Sequence, residues 1–451
     1  MKEPINKYYV IGGVVFSLAI LVVLIVFIVG SDQAQESPLR FNHTTGNLPK
    51  NATKIPPVIL PGNPIISYQY VVNPTTYNRS LKFIYCQDGG CVNQNNPITL
   101  EDATTLSTKN SIALGSDGFP VIAAYHLPSG TSFDAKVNFI HCTSPDCSTR
   151  DPNVALGGYV AASSNIEVAI GSDGFPAIIY SSSNANPQGR GLRYIHCNSL
   201  DCSSFNPPVL LDGTYTFTGN ENSLAIGSDG LPVIVFQHAY DIYWNSTLDF
   251  IHCNNVNCSS TSPYKILDAG GNGTSEKWVP GKNPHISIGS DGFPIINYHS
   301  EHYINSNNRT NYLRTIHCND ILCNSVGQII DLDSETGYLY ERTSSMDIRP
   351  NGFPVISYAL GNDSGVKYIH CNSIDCSSFN PPVIVTPLGN SVMQSSIKIG
   401  LDGKPLMTYM DYTLGNLMMV HCKNVFCSST DAPVILDNSG SHWGYNSLAI
   451  S

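Results

Sequence analysis

The fourteen cysteines of this 451-residue chain form seven pairs, and four residues separate the two members of every pair. Successive pairs begin 51 to 65 residues apart, a period typical of propeller blades and other repeat units. The chain is therefore predicted to consist largely of seven copies of one structural unit. The pairs are Cys86/Cys91, Cys142/Cys147, Cys197/Cys202, Cys253/Cys258, Cys318/Cys323, Cys371/Cys376 and Cys422/Cys427.

Each unit contains short apolar segments that read as β-strands. The clearest copy has Ser-Leu-Ala-Ile-Gly-Ser-Asp-Gly-Leu-Pro-Val-Ile-Val-Phe from Ser223, Leu-Asp-Phe-Ile-His-Cys from Leu248 and Tyr-Lys-Ile-Leu-Asp from Tyr264. A Gly-containing dipeptide supplies the φ > 0 conformations of a two-residue hairpin, which would join the first strand to the second. The proline that follows suits the start of the second strand, where a missing N–H donor is tolerated. These dipeptides are Asp117-Gly118, Asp173-Gly174, Asp229-Gly230, Asp291-Gly292, Asn351-Gly352 and Asp402-Gly403.

The cysteine pairs are interpreted as disulfides in the turn after the third strand of each unit. Identical spacing with no cysteine left over favours local bridges in an oxidising compartment. Zinc is the alternative, because a histidine directly precedes every pair except Cys86/Cys91. Adjacent strand residues point to opposite faces, so such a histidine and cysteine do not easily share one ion. We predict neither a metal nor a cofactor.

The order of the strands predicts how the repeat closes. The segment from Pro64 reads as a second strand with no first strand before it, and residues 447–451 read as a first strand with nothing after it. Together they complete one unit, which closes a ring without exposing a sheet edge. The predicted fold of residues 62–451 is all-β: a seven-bladed β-propeller of four-stranded blades, with one disulfide per blade.

The repeated pattern Ile-Gly-Ser-Asp-Gly-Phe-Pro-Val-Ile-x-Tyr with Ile-His-Cys-x-x-x-x-Cys-Ser-Ser resembles the repeats of largely uncharacterised secreted or surface β-propeller proteins of microbes. The resemblance covers residues of roughly 62 to 451 and recurs seven times. It implies the propeller fold and implies no activity. The Ser-x-Asp-x-Gly-x-Thr-Trp boxes of sialidase propellers are absent.

An uninterrupted apolar run at residues 8–30 carries no charge and is long enough to cross a membrane. Lys2 and Lys7 precede it and the next basic residue is Arg40, so the positive-inside rule places residues 1–7 in the cytoplasm and the remainder outside. We predict a retained signal-anchor helix, with a cleaved signal peptide as the alternative. Residues 31–61 are rich in Pro, Asn and Thr and read as an extracytoplasmic stalk.

Charge and composition limit the partners. The formal net charge is −11 and only 13% of residues are charged, so nucleic acid, which needs clustered cations, is not an expected partner. The expected partners are the membrane, through the N-terminal helix, and a glycan or protein ligand.

Residues that differ between repeats are the candidates for binding, because a residue present in every blade is scaffold first. They are predicted in the loops from second to third strands and from fourth strands to the next blade, which open on one face. Exposed aromatics with polar neighbours suit sugar rings or protein partners, although they could instead cap the ends of blade cores. The candidates are Trp244, Trp278, Trp443, Tyr240, Tyr243, Tyr340, Glu341 and Arg342, accompanied by Tyr215, Phe217, Tyr303, Tyr338, Tyr412, Tyr445, His442, Glu276, Glu301 and Asp411.

The repeated histidines are interpreted as groups that pack and hydrogen-bond between blades, and the aspartates of the Asp-Gly dipeptides as turn residues. The stalk should enter on the disulfide-bearing face, so the variable loops should point away from the membrane. The histidines are His141, His196, His252, His317, His370 and His421, with Tyr85 at the seventh position.

Asn-x-Ser/Thr sequons are crowded in the stalk and loops, which suits a glycosylated surface protein. Asn257 is the least favourable, because it lies between the two cysteines of a pair. The other candidates are Asn42, Asn51, Asn78, Asn245, Asn272, Asn308 and Asn362.

These features favour a non-catalytic surface recognition or adhesion module, since no nucleophile, metal or phosphate motif is apparent. A carbohydrate-active hydrolase or lyase on the same loop face is one alternative, and a structural envelope or coat subunit is another. A hydrolase would need two carboxylates about 5 to 10 Å apart. The candidate pool is Glu276, Glu301, Asp333, Glu341 and Asp411.

Overall fold

The computed structural model describes residues 62–73, 78–105, 109–126, 135–158, 160, 164–182, 189–213, 220–239, 245–272, 276–305, 308–337, 343–360, 365–386, 392–439 and 444–451. The predicted cytoplasmic, transmembrane and stalk segments lie outside these ranges. Within them, no helix has the length and apolar character needed to span a membrane.

Antiparallel sheets follow one another along the chain and form the blades. Blade 1 contains β1 (Pro64–Asn73), β2 (Asn78–Tyr85) and β3 (Ile98–Thr105). Blade 2 contains β4 (Asn110–Leu114), β5 (Pro120–His126), β6 (Lys136–His141) and β7 (Val154–Gly158). Blade 3 contains β8 (Ile166–Ile170), β9 (Pro176–Ser182), β10 (Gly191–His196) and β11 (Val209–Asp212). Blade 4 contains β12 (Asn222–Ile226), β13 (Pro232–Ala239), β14 (Ser246–His252) and β15 (Lys265–Asp268).

The remaining blades follow the same order. Blade 5 contains β16 (Gly271–Asn272), β17 (Lys277–Ile288), β18 (Pro294–Asn305), β19 (Asn308–His317) and β20 (Ile330–Thr336). Blade 6 contains β21 (Thr343–Ile348), β22 (Pro354–Ala359), β23 (Lys367–His370) and β24 (Val383–Ile384). Blade 7 contains β25 (Val392–Ile399), β26 (Pro405–Asp411), β27 (Asn416–His421) and β28 (Val434–Asp437). The last strand, β29 (Asn446–Ile450), returns to blade 1.

The predicted ring closure is confirmed. The strand order of the first sheet is β29-β1-β2-β3, and β29 pairs antiparallel with β1 so that Pro64 faces Ile450 and Tyr68 faces Asn446. The innermost strands β29, β4, β8, β12, β17, β21 and β25 contact one another in that order, and β25 contacts β29 again. The protein is therefore a closed seven-bladed propeller.

Blade 5 departs from the predicted four strands. The short strand β16 adds a fifth strand by pairing with the start of β17. Strands β17 and β18 are each 12 residues long, and bulges interrupt their pairing between Val279 and His285. This blade therefore extends further than the others on the side where the first strands begin.

The hairpins between first and second strands differ from the two-residue turns predicted from the sequence. In blade 2, Gly118 N–H donates to the Gly115 carbonyl and Gly115 N–H donates to the Phe119 carbonyl. Only Gly118 in the Asp-Gly dipeptide has a positive φ, of 86°. This is a three-residue loop that ends on a left-handed glycine, while Asp117 Oδ1 accepts the Phe119 N–H. The aspartate is a turn residue, as predicted.

The hydrophobic core lies between the blades. Seven clusters of buried side chains occur, and each combines residues of two consecutive blades. In the cluster between blades 7 and 1, for example, Ile66 and Tyr68 pack with Leu406 and Met419. Because each blade buries both faces in this way, the second strands are apolar at nearly every position, as in Val233 to Phe236.

All seven predicted disulfides are present, and each links cysteines five positions apart. The sulfur atoms are thus unavailable to zinc. The Pro64 carbonyl accepts the Cys86 N–H, so β1 begins on the disulfide-bearing face of the propeller. The bridges are Cys86–Cys91, Cys142–Cys147, Cys197–Cys202, Cys253–Cys258, Cys318–Cys323, Cys371–Cys376 and Cys422–Cys427.

The second cysteine of each ring has a backbone conformation that the sequence analysis did not predict. Every third strand ends at the residue before the first cysteine, so the rings do lie in the turn after that strand. The second cysteine is buried and left-handed, with a φ between 49° and 56°, and its N–H donates to the carbonyl three residues earlier. A left-handed residue, rare outside glycine, reverses the chain so that the short ring can close. These cysteines are Cys91, Cys147, Cys202, Cys258, Cys323, Cys376 and Cys427.

The polar partners of the repeated histidines lie within their own blades, which corrects the predicted hydrogen bonding between blades. His370 does pack against the next blade, since its ring centre lies 4.8 Å from that of Phe426. His141 Nε2 lies 3.0 Å from Oδ2 of Asp117, the turn aspartate of its own blade. The same pairing joins His196 to Asp173 and His252 to Asp229. The histidine ends the third strand beside the hairpin of the first two strands, so it ties together elements of one blade.

Candidate functional site

The innermost strands surround a central channel that contains a cavity of about 550 Å³. Side chains alternate along a strand, so every second residue of an inner strand faces the channel. These residues form three levels along the channel. The mouth level, where these strands begin, comprises Lys109, Asn165, Glu221, Asn283, Thr343, Gln394 and Tyr445. The middle level comprises Ser111, Glu167, Ser223, His285, Ser345, Ser396 and Ser447. The lower level comprises Ala113, Ala169, Ala225, Ser287, Asp347, Lys398 and Ala449.

The serines of the middle level accept hydrogen bonds from backbone N–H groups at the inner edges of the sheets. An innermost strand has no neighbour on its channel side, so some of its N–H groups lack a ladder partner. Ser447 Oγ accepts the N–H of Ile112 in the next blade at 3.2 Å. Ser111 Oγ accepts the N–H of Val168 in the same way. Ser223 and Ser345 accept the N–H groups of Ile286 and Ile397 likewise, so the serine links neighbouring blades at four interfaces.

Glu167 replaces this serine in blade 3. Its Oε2 accepts the N–H of Leu224 at 2.7 Å and the hydroxyl of Ser223 at 3.0 Å. The side chain is half-buried because it faces the channel, and protein surrounds the channel on all sides. Burial raises the pKa of Glu167 to about 7, although these two hydrogen bonds and the charges of Lys398 and Lys109 oppose the rise. The carboxyl group can therefore gain or lose a proton near neutral pH.

His285 replaces the serine in blade 5. Burial, assisted by the positive charge of Lys398, lowers the pKa of His285 to about 3. Its Nδ1 has no hydrogen-bond partner among the described residues. The channel therefore holds a neutral imidazole with an uncommitted ring nitrogen.

Two charged residues stand at the lower level, where four other blades have alanine. Lys398 Nζ lies 3.8 Å from Asp347 Oδ1, which is longer than a hydrogen bond. Asp347 Oδ2 accepts the Ile399 N–H at 2.8 Å. Both side chains line the cavity. The carboxylate is thus committed to the backbone, while the ammonium group faces the channel.

The mouth level contains two backbone distortions. Asn283 and Gln394 have φ values of 42° and 60°, and both lie at bulges in the pairing of their strands. Left-handed conformations of residues other than glycine are uncommon and concentrate at functional sites. Nearby, Lys109 Nζ lies 3.5 Å from the centre of the Tyr445 ring and donates to Asn165 Oδ1 at 2.5 Å. The mouth therefore presents amides, an aromatic ring and a cation around one opening.

Most of the binding residues predicted from the sequence lie outside the described residues: Trp244, Trp443, Tyr240, Tyr243, Tyr340, Glu341 and Arg342. Trp278 is described and is half-buried on β17. Its ring stacks on the His302 imidazole at 4.1 Å, and the Arg314 guanidinium lies 4.0 Å from its centre. These contacts favour the alternative that this aromatic caps the end of its blade.

The described carboxylates of the predicted hydrolase pool have protein partners. Asp333 accepts hydrogen bonds from Tyr358 and Lys367 of the next blade, so it joins blades 5 and 6. Glu301 is buried on β18, with its carboxylate 3.3 Å from Lys282 Nζ and 2.6 Å from the Tyr303 hydroxyl.

The other two described members are also engaged. Glu276 is exposed, and its Oε2 lies 3.4 Å from His302 Nε2. Asp411, buried at the end of β26, accepts the N–H of Leu414. Glu341 lies outside the described residues. The four described carboxylates belong to blades 5 and 7, and each contacts protein groups.

Among the predicted glycosylation sites, Asn308 is exposed at the start of β19 and Asn245 is half-buried. The side chains of Asn78 and Asn272, and residues Asn42, Asn51 and Asn362, are outside the described part of the chain. Asn257 is exposed, and its Oδ1 accepts a hydrogen bond from Asn206.

The channel residues were missed by reasoning that compared loops between blades. A position-by-position comparison of the inner strands would have found them. The middle level has serine in five blades, so Glu167 and His285 stand out, and the lower level has alanine in four, so Asp347 and Lys398 stand out.

Comparison with known proteins supports the fold. No protein-family model matches the chain, and no curated protein matches it in sequence. Among solved structures, the periplasmic gluconolactonase PpgL of Pseudomonas aeruginosa is 9% identical, with a TM-score of 0.53 over 86% of this chain and 99% of that one. A PL25 ulvan lyase is 10% identical, with a TM-score of 0.49 over 70% of this chain and 80% of that one.

A Dyadobacter fermentans protein of unknown function is 10% identical, with a TM-score of 0.45 over 69% of this chain and 92% of that one. At such identities the likeness concerns the fold alone, and of these three matches only the gluconolactonase has a TM-score above 0.5. The chain is a disulfide-bonded seven-bladed β-propeller with a polar central channel.

Proposed function

We propose that this protein is a membrane-anchored recognition module that holds its propeller on the extracytoplasmic side and binds a glycan at the channel mouth. The observation that carries the proposal is the mouth level itself. No residue type occupies a majority of its positions, whereas the middle level has serine in five blades and the lower level has alanine in four. Variation imposed on a repeated scaffold is typical of a binding surface.

The chemistry of the mouth suits a sugar. Asn165, Asn283 and Gln394 contribute amides, and Thr343 contributes a hydroxyl group. Tyr445 adds an aromatic ring beside them. Sugars are held by directional hydrogen bonds together with contacts to aromatic faces. The proposed ligand is therefore a glycan, with a protein ligand as the competing outcome.

The proposed orientation follows from where the chain enters the propeller. Pro64 lies beside Cys86 on the disulfide-bearing face, and the mouth lies at the opposite ends of the inner strands. With residues 8–30 as the anchor, the mouth points away from the membrane. Glycosylation at Asn308, which is exposed, is part of the same proposal.

A glycan-array screen with the full-length protein tests this function. We expect a defined set of glycans to be bound, and Tyr445→Ala to weaken that binding at least tenfold. Val92→Ala is the matched control, because Val92 is 73% exposed in a disulfide loop on the other face. Equal binding by both variants and the unmodified protein would exclude the mouth as the site.

Two other outcomes of the screen are informative. Binding of a surface-protein extract after complete deglycosylation, with no glycan bound, would favour a protein ligand. Shortening of a bound glycan during incubation would favour the hydrolase or lyase.

A further inference from the structure

The middle and lower levels of the channel contain several hydroxyl groups whose hydrogens have no acceptor among the described residues. The Oγ atoms of Ser111, Ser345 and Ser447 each accept a backbone N–H from the next blade. The hydroxyl hydrogen of each of these serines is still available as a donor, because none is donated to an acceptor among the described residues. Ser396 and Ser287 line the same cavity. These hydroxyl groups are available to a ligand rich in acceptor atoms.

The strongest of these donors is Lys398. Its ammonium group donates no hydrogen bond within the described part of the chain, and Asp347 is 3.8 Å away. Four other blades have alanine at this position, so the repeat itself does not require the lysine. A charged donor in a protein-lined channel forms its strongest hydrogen bonds with an anionic oxygen.

We propose that the middle and lower levels of the channel bind a small carboxylate ligand, whose carboxylate lies on the ammonium group of Lys398 and on the serine hydroxyls of neighbouring blades. This proposal goes beyond the recognition function and does not depend on it, since none of these residues belongs to the mouth or to a loop. A cavity of about 550 Å³ is within the size range of small-molecule sites and accommodates a hexuronic acid.

Glu167 gives the site a predicted pH dependence. On β8 it faces Ser223 on β12, while Lys398 on β25 and Lys109 before β4 act on it through their charges. The other titratable groups of the channel are His285 on β17, Asp347 on β21, and Glu221 and Tyr445 at the mouth. An ionised Glu167 repels a bound carboxylate, whereas a protonated Glu167 does not. Because its pKa is about 7, binding should be tighter in mild acid than in mild base.

The first test is calorimetric titration of the full-length protein at pH 6 with D-glucuronate and D-glucose, which share a ring and differ in the carboxylate. We expect glucuronate to bind at least tenfold more tightly than glucose. Acetate and citrate are included as further carboxylate probes. Failure of every carboxylate to bind at millimolar concentrations, or equal affinity for the two sugars, would overturn the proposal.

Lys398→Ala should reduce the affinity for glucuronate at least tenfold, and the substitution places at this level the residue that four blades already carry. Lys423→Ala removes an exposed lysine from the disulfide loop of the same blade and should leave the affinity unchanged. Equal losses in the two variants would show that only the overall charge matters, which contradicts the proposal.

The second test follows the affinity from pH 6 to pH 8. A carboxyl group with a pKa near 7 that must be protonated for binding predicts a fall of about tenfold over this range. Glu167→Gln retains an oxygen that can accept the Leu224 N–H and resembles the protonated acid. We expect this variant to bind glucuronate with no dependence on pH. An unchanged dependence in the variant would remove Glu167 from the site.

Discussion

The hydroxyl group of Tyr68 donates a 2.5 Å hydrogen bond to Oδ2 of Asp437, although 369 residues separate them in the chain. Lys82 Nζ lies 3.2 Å from the same oxygen. The tyrosine and lysine belong to blade 1 and the aspartate to blade 7. These three side chains therefore connect the first blade to the last.

The same arrangement recurs at two other interfaces. Tyr298 and Arg314 of blade 5 contact Asp268 of blade 4, and Tyr358 and Lys367 of blade 6 contact Asp333 of blade 5. Between blades 3 and 4 the corresponding place is occupied by His238, which lies 2.9 Å from Asp249 and 3.6 Å from Asp212. These four interfaces are thus variations of one polar contact.

Removing the tyrosine hydroxyl should destabilise the closed ring. We expect Tyr68→Phe to lower the free energy of unfolding by about 1–3 kcal/mol, because a buried carboxylate loses a hydrogen bond. Tyr409→Phe is the control, since Tyr409 has the same strand position in blade 7 and blade 6 has Thr386 in place of the aspartate. Denaturant unfolding of both variants provides the measurement, and equal losses would contradict this role.

His141 and His196 should respond to pH in opposite directions. Burial favours a lower pKa at His141, but Asp117 and Asp151 outweigh it and raise the pKa above 6.5. At His196, burial prevails over Asp173 and lowers the pKa. His141 therefore adds stability below pH 6.5 that is lost as pH rises through its folded pKa. His196 adds stability above pH 6.5 that is lost as pH falls through its folded pKa.

The corresponding measurement is denaturant unfolding of His141→Gln and His196→Gln at pH 5.5 and pH 8. The first substitution should be more damaging at pH 5.5 and the second at pH 8. Histidine ring-proton NMR titration gives an independent reading. The interpretation fails if both variants change stability in the same direction with pH.

Glu167 should make the unmodified protein less stable in mild base. Its folded pKa is about 7 and its unfolded value is near 4.5, so the stability it contributes is full below pH 4.5 and is lost as pH rises through 7. Glu167→Gln should remove this loss. His285, whose pKa is lowered to about 3, adds its own pH dependence to the stability of both proteins, and comparing them at pH 5 and pH 8 cancels it. Parallel pH profiles of the two proteins would contradict the prediction.

Each disulfide should contribute modestly. Replacing Cys253 and Cys258 with alanine opens a ring whose cysteines are five positions apart, so we expect the free energy of unfolding to fall by about 2 kcal/mol. Unfolding of the variant beside the unmodified protein, both without reductant, measures the effect. A loss several times larger would show that the disulfide organises more than its local turn.

Trp278→Ala distinguishes packing from ligand binding at this position. The indole contacts His302 and Arg314 at about 4 Å, so its removal should lower the free energy of unfolding by about 1–3 kcal/mol. Glycan binding should be retained once the variant is folded. Lost binding with unchanged stability would instead restore Trp278 as a ligand-contacting residue.

The sequence by itself determined the features that depend on local order and repetition. The cysteines of each ring are five positions apart, so their pairing needs no tertiary information. The ring closure by β29 was predictable because a first strand remained at one end and was missing at the other. Proline at the start of β1 and β5 likewise marks a strand by its own stereochemistry.

Only the tertiary structure decided which distant side chains meet. Glu167 and Lys398 influence each other across the channel because the ring brings β8 and β25 around one axis. The hydrogen bonds of the repeated histidines were assigned between blades because strand period alone does not reveal that the third strand ends beside the hairpin of its own blade. Periodicity fixes the face of a strand on which a residue lies, whereas the charge, burial and pKa of that residue depend on the packing of the other blades around it.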